Sequence, residues 1–192
     1  MVRFGLVIAV LLGISVPAFA QRARRPSEPA GFRTAIQAGM RTAVQQDYTS
    51  ALASVRQASG LHPESAEAHF FIAEVMRMQN ELEDALGELR TAVRLAQAMG
   101  RDADAWQARA LFSVAATLQM LGQFDEAREA WVAYNTFADG HPQVSYSSSG
   151  RAHLQALDRR TETVRVASAV RDRIQARERE AAEEASRPRR AR

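Results

Sequence analysis

Residues 81–86 read ELEDAL, and the same arrangement occurs as DYTSAL at 47–52 and as QFDEAR at 123–128. In each stretch a large apolar or aromatic residue is followed by two polar residues and then an alanine. The three alanines are Ala51, Ala85 and Ala127. The first two are 34 residues apart and the last two are 42 apart, which is the same period with eight residues inserted. A period of this length is typical of stacked pairs of helices.

The small and the large apolar residues around these stretches are spaced as they are in a pair of antiparallel helices that pack against each other. Alanine or glycine lets the helices approach closely, and large apolar residues fill the remaining space between them. These residues resemble the tetratricopeptide repeat, with repeats at about 32–65, 66–107 and 108–142. Two departures from its signature are Gln97, where proline is usual, and Tyr134, where a small residue is usual.

The resemblance implies an all-α solenoid of antiparallel helical hairpins within residues 30–142. A serine-rich loop is predicted at 143–150 and a long C-terminal capping helix at 151–180, followed by a charged, basic-ended tail at 181–192. The apolar residues of the last helix recur at helical spacing. They are Leu154, Leu157, Val164, Ala167, Val170 and Ile174.

The N-terminal residues 1–20 have the features of a secretory signal peptide. Arg3 gives a positive start, residues 4–16 are almost entirely apolar, and Ala18-Phe19-Ala20 is a small-x-small cleavage site. The sequence therefore predicts a periplasmic or secreted protein that begins at Gln21, followed by a basic linker at 21–29. The alternative is an uncleaved membrane anchor.

Charge is distributed unevenly along the chain. Residues 26–186 carry 17 arginines and 22 acidic residues, whereas the segments on either side are rich in arginine and there is no lysine. Arginine-rich ends can attract phosphate, but export argues against nucleic acid, so acidic lipid or an acidic polymer is the more reasonable contact for the basic tail. The alternative is a solvated end with no ligand.

No motif in the chain predicts catalysis. There is no cysteine, and none of His62, His69, His141 and His153 has a second metal ligand at helical spacing. The acidic clusters at 81–84 and 125–129 fall in the first turns of helices, where they offset the helix dipole. We therefore predict a protein that is not an enzyme and that uses no cofactor and no metal.

The resemblance also implies a concave groove lined by the first helix of each repeat. The residues carried over are Arg33, Ile36, Met40, Ala43 and Val44 in the first repeat, Glu67, Phe70, Glu74, Arg77 and Met78 in the second, and Arg109, Phe112, Ala116, Gln119 and Met120 in the third. The predicted partner-binding residues are Arg33, Met40, Phe70, Glu74, Arg77, Arg109, Phe112 and Gln119. Some residues of this face are alternatively buried by the N-terminal segment or the last helix.

These features predict a protein-interaction scaffold or adaptor of the cell envelope that binds a protein or peptide in the groove. Contact is expected to centre on Phe70, Glu74 and Arg77, and Glu74 is expected to pair with Arg77 when no ligand is bound. The alternative is a structural envelope component that self-associates through the C-terminal helix.

Overall fold

A computed structural model describes residues 28–186, and the predicted all-α solenoid is confirmed. Within that range the chain forms helices and no β-strand. The predicted signal peptide at 1–20 and the arginine-rich residues 187–192 lie outside the described range. The helices are α1 (Phe32–Val44), α2 (Tyr48–Leu61), α3 (Ala66–Met78), α4 (Leu82–Met99), α5 (Asp104–Met120), α6 (Phe124–Gly140) and α7 (Ser147–Ser186), with a short 3-10 turn at Gly100–Ala103 between α4 and α5.

Three antiparallel hairpins form the body, α1 with α2, α3 with α4, and α5 with α6. The alanines that define the repeat, Ala51, Ala85 and Ala127, are all 0% exposed, as expected of small residues that face the other helix of their hairpin. The crossing of α1 and α2 is tighter still. A Cβ on Gly39 would lie 2.6 Å from Cγ1 of Val55, so only glycine fits there without displacing α2.

The hairpins stack with a curvature that follows from their contacts. Each second helix packs against the first helix of the next hairpin, α2 on α3 and α4 on α5. The first helices also contact one another, α1 with α3 and α3 with α5, whereas no comparable contact joins α2 to α4 or α4 to α6 in the described chain. Because the first helices are the more closely spaced, they form the inner, concave layer.

The helices α2 and α3 are each capped by the side chain of the residue before them, Asp47 and Ser65. The Asp47 carboxylate accepts a hydrogen bond from the backbone N–H of Ser50, and the Ser65 hydroxyl accepts one from that of Ala68. Each bond satisfies a backbone donor that the helix itself leaves without an acceptor. Asn80 interrupts the helical conformation between α3 and α4 by adopting a left-handed φ of 62°, which asparagine tolerates better than most residues.

The last helix differs from its predicted bounds of 151–180. It begins at Ser147, inside the segment predicted as a loop, and continues to Ser186. The helix starts four residues before the predicted position because its first turn docks on α6. Gly150 permits this close contact, since a Cβ there would lie 2.6 Å from the Tyr134 ring. Alanine and glutamate, both strong helix formers, prolong its other end.

Only the beginning of α7 caps the solenoid. Leu157 is buried against α6, and the His153 ring stacks on Trp131 with their centroids 4.3 Å apart. Val164, Val170 and Ile174, predicted to share the apolar stripe with Leu157, are exposed. No helix in residues 28–186 combines the length and apolar character needed to cross a membrane.

Candidate functional site

The concave layer presents most of the predicted groove residues to solvent or leaves them half-buried. Arg33, Met40 and Arg109 are exposed, and Phe70, Glu74, Arg77, Phe112 and Gln119 are half-buried. Beside them runs an exposed apolar edge at the ends of the three first helices, formed by Val44, Met78 and Met120. The structure thus brings the predicted set to one face, and their role in binding stays a prediction.

Three residues of the carried-over face are engaged inside the fold. Ile36 and Ala43 are buried, Ile36 in a cluster with Phe32 and Ala58. The side-chain oxygen of Gln119 accepts a hydrogen bond from Nε1 of Trp131 at 3.2 Å. The apolar strip available to a ligand is therefore narrower at the first repeat than the repeat pattern implies.

The expected pair of Glu74 and Arg77 is confirmed. Nη1 of Arg77 donates to both carboxylate oxygens of Glu74, at 2.8 and 2.9 Å, and the Ser113 hydroxyl donates to Oε1 of the same carboxylate at 2.8 Å. The Glu74 carboxylate therefore links α3 to α5 as well as balancing Arg77. A ligand that binds Arg77 would have to compete with the Glu74 carboxylate, which stays anchored to α5 through Ser113.

An open cleft of about 630 Å³ lies where the third repeat meets the segment before α7. One wall is formed by the groove residues Phe70, Arg109 and Phe112, together with Ser113. The other wall is formed by Gln143, Val144, Ser145, Tyr146 and Ser149, with Tyr134 contributed by α6. The concave face therefore ends in a cleft whose far wall comes from outside the repeats.

Two aromatic clusters support this cleft. Phe70 contacts Phe71 and Trp106, with ring centroids 5.6 and 5.8 Å away. The guanidinium of Arg109 lies over the Trp106 ring at 4.6 Å, a cation–π contact that holds this charge at the rim. On the other side Phe112 contacts Trp131 and Tyr134 edge-on. These packed rings form a rigid apolar floor beside one exposed positive charge.

The first repeat carries a second charged group on the same face. Arg33 donates to Glu67 at 2.6 Å and pairs with Glu28 at 2.8 Å, so it bridges α1 and α3. Burial raises the pKa of the Glu67 carboxyl above its ordinary value, and the charge and hydrogen bond of Arg33 oppose that rise. Arg33 is thus already paired with two carboxylates, whereas the Arg109 guanidinium is positioned at the cleft by the Trp106 ring.

His69 is a structural residue of the middle repeat. Its Nδ1 lies 2.6 Å from a carboxylate oxygen of Glu88, and its Nε2 lies 3.1 Å from the carbonyl oxygen of Pro63. Because both partners are acceptors, the imidazolium, with two N–H groups, fits this site best. The hydrogen bond to Glu88 accordingly raises the pKa of His69, although burial opposes the shift.

Sequence reasoning missed the wall formed by residues 143–149. Tyr146 is 78% exposed, and its backbone is held by Tyr134: the Tyr134 hydroxyl donates to the Tyr146 carbonyl at 3.3 Å and accepts from its N–H at 3.2 Å. The signal present in the sequence was Tyr134 itself, a large residue where the repeat usually has a small one. That departure marks the place where the loop docks.

Comparison with protein families gives two matches, both described as tetratricopeptide repeat. One model matches residues 44–112 and the other residues 110–139. Together they run from the end of α1 to α6 and cover the three repeated alanines. No curated protein matches the sequence.

Several solved structures share the fold at low sequence identity. The TPR2B domain of yeast Sti1, in a complex with pHsp70, has a TM-score of 0.58 and 15% identity, over 67% of this chain and 97% of that one. The first TPR of Spaghetti (RPAP3), bound to the HSP90 peptide SRMEEVD, has a TM-score of 0.55 and 14% identity, over 68% and 93%. The Sgt2 TPR domain from Aspergillus fumigatus has a TM-score of 0.58 and 14% identity, over 73% and 86%. At such identities the likeness concerns the fold alone.

Proposed function

Because the chain belongs to the tetratricopeptide repeat family, we propose that it is a non-catalytic scaffold that binds a peptide or protein segment on its concave face. The observation that carries this proposal is the cleft between the groove residues of α3 and α5 and the wall at 143–149. Two proteins of the same fold have ligands on their tetratricopeptide domains, pHsp70 and an HSP90 peptide, which supports a peptide ligand here.

The chemistry of the cleft favours a segment that combines an apolar side chain with a negative charge. Phe70 and Phe112 offer aromatic surface, and the exposed Arg109 offers a guanidinium at the rim. Ser149 on the opposite wall adds a hydroxyl group, and the exposed methionines Met78 and Met120 continue the apolar surface along the groove. Methionine adapts its shape to different side chains, which suits peptide recognition.

We predict that Phe70→Ala weakens peptide binding by about 1–3 kcal/mol while the helices persist, since large aromatic anchors carry much of the energy at such surfaces. A binding peptide is first selected from a displayed random library on the immobilised protein. Its affinity for the variants is then measured by titration calorimetry, and circular dichroism checks that the helical content is unchanged.

The matched comparison uses arginine. Arg109→Glu alters the cleft rim, whereas Arg90→Glu makes the same change on an exposed position of α4, in the outer layer. Binding is expected to fall for Arg109→Glu and to stay at the parent value for Arg90→Glu. Equal affinities of both arginine variants and of Phe70→Ala, with the fold intact, would place the binding surface away from the concave face.

We further propose that the protein works outside the cytoplasm, in the periplasm or after secretion. The support is the pattern of residues 1–20, in which Arg3 precedes an apolar stretch and Ala18-Phe19-Ala20 ends it. The expected product of export begins at Gln21. Intact mass spectrometry of the protein recovered from the cell envelope or the medium tests this, and a mass that retains residues 1–20 would contradict cleavage.

A further inference from the structure

The distal part of α7 has no tertiary partner in the described chain. The last contacts between this helix and the body involve Arg160, whose guanidinium lies over the Phe124 ring at 4.1 Å, and Thr161 and Val164, which line a shallow pocket with residues 122–126. Every residue from 158 to 184 is exposed. Four of them are large and apolar, namely Val164, Val166, Val170 and Ile174, with exposed fractions between 48% and 60%. In proteins most helical stability comes from packing an apolar face against a partner, which this segment does not find among residues 28–186.

Two of these apolar residues, Val170 and Ile174, share one face with the alanines Ala167 and Ala181. Ala167, Val170, Ile174 and Ala181 follow one another at intervals of three, four and seven residues, the spacing that aligns side chains along a helix. The same spacing forms the seam of two-stranded coiled coils, in which each side chain inserts between residues of the facing helix. The seam is short, so pairing through it would be reversible.

The first half of this segment is basic and the second half is acidic. Residues 159–173 carry five arginines and two acidic residues, and residues 177–184 carry two arginines and four glutamates. A parallel pair of such helices would place arginine beside arginine and glutamate beside glutamate. An antiparallel pair would place the basic half of each helix beside the acidic half of the other, which is favourable.

We propose that α7 pairs antiparallel with α7 of a second copy of this chain, through the seam of Ala167, Val170 and Ile174. A two-fold axis near residue 172 sets Val170 of one copy against Ile174 of the other, and Ala167 against residue 177. Both acidic ends then lie along the basic beginnings of the opposite helices. The residue that α7 contributes to the cleft, Ser149, lies well before the paired segment, so the pairing does not involve the cleft wall.

Sedimentation equilibrium of the purified protein over a range of concentrations tests the pairing. The expected result is a monomer–dimer equilibrium that shifts to dimer as concentration rises. The double variant Val170→Glu/Ile174→Glu should raise the dissociation constant more than about a hundredfold, because it buries carboxylates without partners in the seam. Val132→Glu, on an exposed valine of α6, is the control and should dimerise like the parent. A monomer at all concentrations, or a dimer that survives the double variant, would overturn the proposal.

Orientation is tested by oxidative cross-linking, since the chain has no cysteine of its own. Ala167→Cys and Arg177→Cys are made separately and then mixed. An antiparallel pair predicts a cross-linked product only in the mixture, because residue 167 of one copy faces residue 177 of the other. A cross-link of Ala167→Cys with itself, in the absence of the second variant, would show a parallel pair and overturn the antiparallel arrangement.

Discussion

Trp131→Ala is expected to lower the free energy of unfolding by about 3–5 kcal/mol, because it deletes the largest fully buried side chain described. Trp131 is 0% exposed and contacts rings from three helices: Phe112 of α5, Tyr134 of α6 and His153 of α7. Its loss leaves a cavity where the capping helix docks. Urea denaturation followed by circular dichroism measures the change.

Val132→Ala is the matched control, since it shortens the next side chain along α6, which is 43% exposed. That variant is expected to stay within about 0.5 kcal/mol of the parent, as surface substitutions usually do. If Trp131→Ala also stayed within about 0.5 kcal/mol of the parent, the docking of α7 on α6 would contribute little to the stability of the array.

Ala85→Leu is expected to cost about 1–3 kcal/mol by overpacking the crossing of α3 and α4. Ala85 is 0% exposed and belongs to the core cluster that also holds Ala73 and Leu89. Each repeat is stabilised only by its immediate neighbours, so an array of three has little capacity to absorb a strained middle hairpin. Thermal unfolding should show a lower midpoint, and the variant should remain helical at low temperature.

Gly87→Leu places the same side chain two residues further along α4. A Cβ on Gly87 meets no atom within 4 Å, so the leucine has room. Because glycine is about 1 kcal/mol less favourable than the best helix formers in a helix interior, this control should be neutral or stabilising. If Ala85→Leu also left the thermal midpoint unchanged, Ala85 would not lie at a close helix crossing.

The repeated hexapeptides were enough to predict the helical hairpins, because their packing rule is local. An alanine such as Ala85 is expected to face the partner helix if the residues around it are to form antiparallel helices, and Ala85 is completely buried. The same repeat pattern also predicted that the first helix of each hairpin lies in the concave layer. The pair of Glu74 and Arg77 could be predicted because two residues three apart on one helix are neighbours whatever surrounds them.

Features that depend on contact between distant segments were not predictable in this way. The register places Ile36 on the groove side of α1, but its neighbours Ala58 and Ala68 come from α2 and α3, and together they bury it. The cleft wall at 143–149 is positioned by Tyr134, which holds the backbone of Tyr146, twelve residues later in the chain. Neither contact leaves a periodic signal in the sequence.

The length of α7 affects how this protein moves through solution. A helix of 40 residues is about 60 Å long at 1.5 Å per residue, and from residue 158 to 184 every residue is exposed. Such an extended helix increases the hydrodynamic drag of the molecule far more than it increases the molecular mass. The single chain should therefore elute from a gel-filtration column as a much larger sphere would, and its elution volume would be mistaken for that of an oligomer.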